Sequence, residues 1–220
     1  MNQLLCFGAI SIQSAKTNTS VSDFSIGQDS SSKASSTPLE NTGGSEMMGM
    51  SVFKGEKLVG ELDSKETLCW QLINNKVESC NITITNQDDL DDSIDLYIYN
   101  KSKPKIKVKI INGSPFITMD LKLEAKILSI DANSNYMTEE RISEISNFAN
   151  QYMESLMNDY LYKTAKQFKS DINGFGKYAA HLFTTMRDFE EYNWLENYQN
   201  SFFDINVDTN IQSAFLLSGR

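Results

Sequence analysis

The sequence predicts an α+β fold, in which an antiparallel β-sheet packs against one long amphipathic helix and several shorter helices. Three observations support this prediction. Apolar and polar residues alternate in several segments between 48 and 130, which is the period of half-buried strands. A helical period of three and four residues then runs through 137–176. Residues 204–211 return to strict alternation, so a last strand closes the domain.

The composition favours a folded, acidic domain. The chain has 220 residues, of which 40% are hydrophobic, and a formal net charge of −9. Surfaces that bind nucleic acid are basic, so this charge argues against nucleic acid as a partner. Cys6, Cys69 and Cys80 fit no zinc-binding spacing, and an odd number of cysteines does not indicate a disulfide framework. We therefore expect no metal, no cofactor and free thiols, with a Cys69–Cys80 disulfide as the alternative.

The N-terminal part of the chain differs from the rest. Residues 7–12 can form a short strand, but serine, threonine, asparagine and glycine dominate residues 13–45. Such a segment has too little apolar surface to offset the entropy lost on ordering. We expect residues 1–46 to be a flexible linker or the remnant of a preceding domain, and residues 47–220 to form the folded domain.

The folded domain opens with strands and a short helix. A hairpin is predicted over 48–62, with Gly55 in its turn. Asp63 and Glu66 then have the spacing of a capping box in front of a helix over 67–73. Further strands are predicted at 77–85, 94–99 and 116–130.

Five lysines alternate with apolar residues in the segment before the longest strand: Lys101, Lys103, Lys105, Lys107 and Lys109. One face of this strand is therefore cationic and the other is apolar. One interpretation is a sheet edge that lysines and Pro104 protect against pairing with other chains. The other is an interaction face for an acidic partner or for lipid headgroups, because five like charges need an anionic counterpart or full solvation.

The longest predicted element is a helix over 137–176. Thr138 can cap its N terminus, and Gly174 with Gly176 is expected to end it. A second helix is predicted over 177–190. The apolar face of the long helix is expected to lie in the core and consists of Ile142, Ile145, Ala149, Tyr152, Leu156, Tyr160, Thr164, Phe168 and Ile172.

No set of residues typical of catalysis is found in the sequence. The single histidine, His181, follows no nucleophile motif that it could serve as a base. The acidic segment 88–95 lacks the glycine and the glutamate of an EF-hand loop, so we interpret it as a solvated turn. We therefore predict no catalytic residues and no enzymatic activity.

Three short motifs resemble the C-terminal domain of spore germinant-receptor C subunits, the Ger(x)C lipoproteins. The first is the hairpin sequence 52–60, followed by 65–67. The second is a D-x-x-G-x-G pattern formed by Asp171, Gly174, Phe175 and Gly176. The third is the entry to the last strand, with Trp194, Phe203 and Val207. The resemblance covers about 47–219, and Asn173 departs from it where an apolar residue is expected.

The resemblance implies a non-enzymatic subunit, peripheral on the outer face of the spore inner membrane. Its partners would be membrane-embedded germinant-receptor subunits, and its anchor a lipidated N-terminal cysteine. Residues 1–46 show neither an export signal nor that cysteine, so we expect the anchor to belong to full-length family members and not to this chain. The alternative is an exported α+β domain, unrelated to germination, that binds a small molecule between its sheet and its helix.

Overall fold

The structure is a computed structural model, and it describes residues 10–15, 46–85, 93–130 and 139–212. Most of the predicted linker 1–46, most of the acidic segment and the Thr138 cap lie outside these residues, whereas residues 10–15 and 46 of that linker are in strands.

The described residues form eight strands and five α-helices. The strands are β1 (Ile10–Ala15), β2 (Glu46–Lys54), β3 (Lys57–Leu62), β4 (Cys80–Thr85), β5 (Ser93–Asn100), β6 (Lys105–Ile111), β7 (Ser114–Ile130) and β8 (Phe202–Gln212). The helices are α1 (Ser64–Ile73), α2 (Glu139–Lys163), α3 (Gly176–Ala180), α4 (Met186–Tyr192) and α5 (Trp194–Tyr198). The predicted α+β class is confirmed, and α3 with α4 replaces the single helix predicted over 177–190.

The strands form two sheets. β1, β2 and β3 make a small antiparallel sheet. The other five strands, β4 to β8, form the second sheet, in which the long β7 is central. β8 pairs with β7 over 116–126, while β5 and β6 pair with successive parts of the opposite edge. β4 lies outside β5. β8 is parallel to β7, unlike the other pairs, because the chain between them crosses over through the helices.

One face of the five-stranded sheet is buried under the helices and the other faces solvent. The buried face of β7 is the row that alternation predicted, with Ile117, Met119, Leu121, Leu123 and Ala125 all inaccessible. On the solvent face, polar side chains alternate with this row along β7 and β8. A sheet that is largely antiparallel tolerates such a solvated face.

The helix α2 packs on the buried face, but its core row is partly different from the prediction. Tyr152 and Leu156 are half-buried at the rim of a cleft, whereas the sequence placed them in the core. Two methionines that the predicted face left out lie in the core instead. The row consists of Ile145, Ala149, Met153, Met157, Tyr160 and Leu161.

The helix α2 also ends earlier than predicted. A π-helical turn, Thr164–Phe168, follows Lys163, and Lys169 in the left-handed conformation (φ 50°) stops it. The buried Thr164 hydroxyl donates to the Leu161 carbonyl at 2.7 Å, and such back-bonding disturbs a regular helix. The two glycines therefore do not end the long helix.

Side chains of α2 cover the outer edge of β8. The backbone N–H of Val207 donates to Glu154 Oε1 (3.0 Å), and that of Thr209 donates to Asn150 Oδ1 (2.8 Å). Residues 150 and 154 lie one helical turn apart, and residues 207 and 209 are alternate residues of the strand. The spacing of the two acceptors along α2 therefore matches the spacing of the two donors along β8. This edge is closed to pairing with another chain.

We expect Met157→Ala to lower the free energy of unfolding by about 2–5 kcal/mol, because it removes a fully buried side chain and leaves a cavity. Leu156→Ala, at the neighbouring half-buried position, should cost about 1 kcal/mol. Urea unfolding of both variants checks the difference. Equal losses would contradict the orientation of α2 described above.

Candidate functional site

The family-like motif lies in a buried turn, residues 170–176, between the π-helical turn and α3. The Asp171 side chain organises this turn. Its Oδ1 accepts the N–H of Phe175 at 2.9 Å, and its Oδ2 accepts the N–H of Gly176 at 2.7 Å. The indole N–H of Trp194 also donates to Oδ2, at 2.8 Å. The carboxylate thus satisfies N–H groups at the start of α3 that have no partner within the helix.

The Asp171 carboxyl group is fully buried, and none of the salt bridges found among the described residues involves it. Burial raises its pKa, and the N–H donors of Gly176, Phe175 and Trp194 offset part of that rise. The carboxyl group is therefore held by oriented donors instead of by an opposite charge.

The two glycines of the motif are required for different reasons. Gly174 has φ +72°, a left-handed conformation that other residues adopt only at a cost. At Gly176, a Cβ atom would lie 2.8 Å from Cδ1 and Nε1 of Trp194, which is too close. Gly174 therefore permits the turn, and Gly176 permits the indole to reach Asp171.

Side chains at α1 and on α2 also form hydrogen bonds to this turn. The indole N–H of Trp70, on α1, donates to the Ile172 carbonyl at 3.1 Å. Asn173 Oδ1 accepts the Tyr160 hydroxyl at 3.2 Å and the Asn74 amide at 3.1 Å. These bonds explain why a polar residue occupies the position where the resemblance led us to expect an apolar one.

The structure thus brings the D-x-x-G-x-G residues Asp171, Gly174, Phe175 and Gly176 together with Trp194 of the third motif. Phe175 is fully buried, and its ring centroid lies 6.4 Å from that of Tyr198. The N–H groups that could receive an external anion are already bound to the protein's own carboxylate. The geometry therefore supports a structural role for the motif.

The predicted lysine face is shorter than the sequence indicated. Lys101 and Lys103 precede β6, in a connection that contains Pro104, and Lys101 pairs with Glu124 at 3.2 Å. The four residues 101–104 of this connection span only two residues of β7, 121 and 122. The alternation of lysine and apolar residues is therefore interrupted before β6 begins. The remaining three residues are exposed along β6, and we name them the lysine strip: Lys105, Lys107 and Lys109.

The lysine strip lies at an edge of the sheet. Within the described part of the chain, β6 pairs only with β7, and no ion pair found there involves the strip. In the register with β7, Lys105 is opposite Asp120, and Lys107 is opposite Thr118. Three cations on one exposed strand face therefore remain available to an anionic surface.

The described residues show little that could support catalysis. Within those residues, no three side chains of the metal-ligating types come together. His181 is exposed at the end of α3. Cys69 and Cys80 are free thiols, and burial raises the pKa of Cys80 to about 12. A thiol that is neutral at physiological pH is a weak nucleophile.

An open cleft of about 620 Å³ lies where α1, α2 and β4 meet. Leu68, Tyr152, Leu156 and Ile82 are among its lining residues, and Lys65 is the one charged residue in that lining. The cleft lies beside the core. β4 and α2 both contribute to its lining, so the cleft lies at the margin of the space between the sheet and α2, where a small-molecule site was the alternative hypothesis. Nearer the centre of the sheet, this space is filled by the buried row of α2.

A family model described as spore germination B3/GerAC-like, C-terminal, matches residues 48–214. The chain belongs to this spore germination family. The predicted resemblance to germinant-receptor C subunits is therefore confirmed, and the hypothesis of a domain unrelated to germination is wrong. No curated protein sequence matches the chain.

The crystal structure of the GerBC protein has a similar fold. The two chains share 20% sequence identity with a TM-score of 0.65, and the match covers 77% of this chain and 52% of GerBC. This chain therefore spans about half the length of GerBC. None of the helices within the described ranges is long and apolar enough to cross a membrane.

We expect Asp171→Asn to lower the free energy of unfolding by about 2–4 kcal/mol, because an amide group cannot accept all three N–H bonds. The loss should depend on pH. The folded-state pKa lies above the unfolded-state value, so the carboxyl group stabilises the fold most at low pH and less as pH rises through the folded-state pKa. The difference in unfolding free energy between wild type and variant should therefore narrow with rising pH. Chemical denaturation across the acid range measures it, and a gap that widens would contradict the assigned shift.

The two glycines should respond differently to substitution. Gly176→Ala should cost about 2 kcal/mol or more, since the added methyl group displaces the Trp194 indole. Gly174→Asn should cost less than about 1 kcal/mol, because asparagine tolerates the left-handed region and the site has space. Thermal unfolding and the near-UV signal of tryptophan report both effects. A larger loss at Gly174 would refute this assignment of roles.

Proposed function

We propose that this chain is a non-enzymatic, C-subunit-like component of a spore germinant receptor. The observation that carries the proposal is the family match over residues 48–214. The domain would act in germination through contacts with membrane-embedded receptor subunits, peripheral on the outer face of the spore inner membrane. Its buried polar network and filled core support a rigid binding module.

We further propose that the lysine strip is one of its contact surfaces. The three ammonium groups project from an edge strand, and none is paired with a described carboxylate. An acidic surface of a receptor subunit would neutralise them, and such complementarity guides association and register. Phe202 lies on the same sheet face and is 57% exposed, which adds an apolar contact beside the charges.

Deletion of the gene tests the proposed function directly. In a strain without a second C subunit, spores lacking this chain should fail to respond to at least one germinant, as measured by dipicolinic acid release. Normal responses to every germinant would show that the chain has no role in germination.

Charge reversal tests the lysine strip. We expect Lys105→Glu, Lys107→Glu and Lys109→Glu together to slow germination about tenfold or more, because like charges would then face each other at the contact. Lys54→Glu, Lys57→Glu and Lys166→Glu make the same charge change at exposed positions elsewhere and should have little effect.

Both triple variants must accumulate in spores at the wild-type level, which immunoblotting checks. Equal germination rates in the two variants would contradict a special role for the strip. Binding of the purified wild-type chain, but not the strip variant, to vesicles rich in phosphatidylglycerol would assign the strip to lipid instead of protein.

A further inference from the structure

The five-stranded sheet has three outer edges, and two of them are protected. The edge of β8 is covered in its middle by Glu154 and Asn150 of α2, which accept the N–H groups of Val207 and Thr209. The edge of β6 carries the lysine strip and follows Pro104. Proteins protect sheet edges in these ways because a row of unpaired backbone groups otherwise pairs with other chains.

Among the described residues, the third edge, formed by β4, shows neither kind of protection. Its sequence, Cys-Asn-Ile-Thr-Ile-Thr, contains no charged residue and no proline. Ile82 and Ile84 are buried, while Asn81 and Thr83 are exposed on the opposite face. Within the described part of the chain, β5 is the strand that pairs with β4, and no other backbone hydrogen bond to β4 is found.

The unprotected edge borders the open cleft. The walls of the cleft come from α1 and α2, and Leu68 and Leu156 make them partly apolar. The ammonium group of Lys65 lies 5.8 Å from the centre of the Tyr152 ring. Because the lining contains this cation and no carboxylate, an uncharged or acidic occupant fits better than a basic one.

We propose that the β4 edge binds an extended segment of a partner polypeptide by β-strand addition. The segment pairs its backbone with β4 and places alternate apolar side chains between α1 and α2, with no basic residue on that side. The backbone groups along the outer side of β4 have no partner among the described residues, which favours a strand over a small molecule as the occupant.

This proposal adds a contact surface distinct from the lysine strip. The class of partner, a receptor subunit, is taken from the proposed function. The pairing of a partner strand with β4 is argued from the β4 edge and does not depend on that function.

Photo-cross-linking in spores tests the proposal with the full chain. p-Benzoyl-phenylalanine replaces Asn81 in one strain and Thr83 in another, and Glu56, exposed in the turn between β2 and β3, serves as the control position. Since 81 and 83 project from the same face of one strand, both should cross-link to one partner polypeptide, at positions two residues apart. Mass spectrometry of the cross-linked peptides locates these positions.

A charged residue on β4 gives a second test. Asn81→Lys copies the protection found on β6 and should reduce cross-linking from position 83 about tenfold, whereas Asn81→Gln should not. Cooperative thermal unfolding of both variants shows that the fold is retained.

Three outcomes would overturn the proposal: cross-links to a second copy of this chain, yields no higher than at position 56, or partner positions without the two-residue spacing. The deletion phenotype tests the proposed function separately. If spores require the chain for germination but show none of this cross-linking pattern, strand addition is refuted and the proposed function still stands.

Discussion

The fold depends on one buried carboxylate. Asp171 is fully inaccessible, so its lone pairs must be met by donors inside the protein. Two donors belong to the start of α3 and the third is the Trp194 indole on α5, which fixes both helices relative to the turn. The adjacent residues, Ile172 and Asn173, extend these constraints to α1 and α2. A short polar turn thereby sets the positions of four helices over the sheet.

The helix α2 shows how one element can serve the core and two surfaces. Its buried row faces the sheet, and its two flanks lie on opposite sides of that row. One flank, with Asn150 and Glu154, closes the β8 edge. The other flank, with Tyr152 and Leu156, lines the cleft beside β4. Two positions that are two residues apart differ by about 200° in direction around the helix axis. The same turns of α2 can therefore cover the β8 edge on one side and line the cleft beside β4 on the other.

Local patterns in the sequence predicted local structure well. Strict alternation located β7 and its buried row, and the spacing of Asp63 and Glu66 predicted the capping box found at α1. The errors concern features that depend on distant residues. The end of α2 is set by Thr164, whose hydroxyl also lies 2.8 Å from that of Tyr198, 34 residues away. The Trp70 bond to Ile172 spans 102 residues and leaves no periodic signal. The resemblance gave the residues around Asp171 and Trp194 as two separate motifs, and the hydrogen bond that joins them was found only in the three-dimensional structure.

The arrangement of the edges limits how a partner can approach. β5 and β6 pair with the same side of β7, and β4 lies outside β5, so the lysine strip and the β4 edge both lie on the side opposite β8. A partner that approaches from this side can reach both surfaces, whereas α2 blocks strand pairing on the other side. Both surfaces also favour the same chemistry, since the lysine strip presents three cations, the cleft beside β4 presents one, and neither lining contains a cluster of carboxylates. In its charge, an acidic, partly extended partner segment therefore suits both proposed surfaces, and a basic one suits neither.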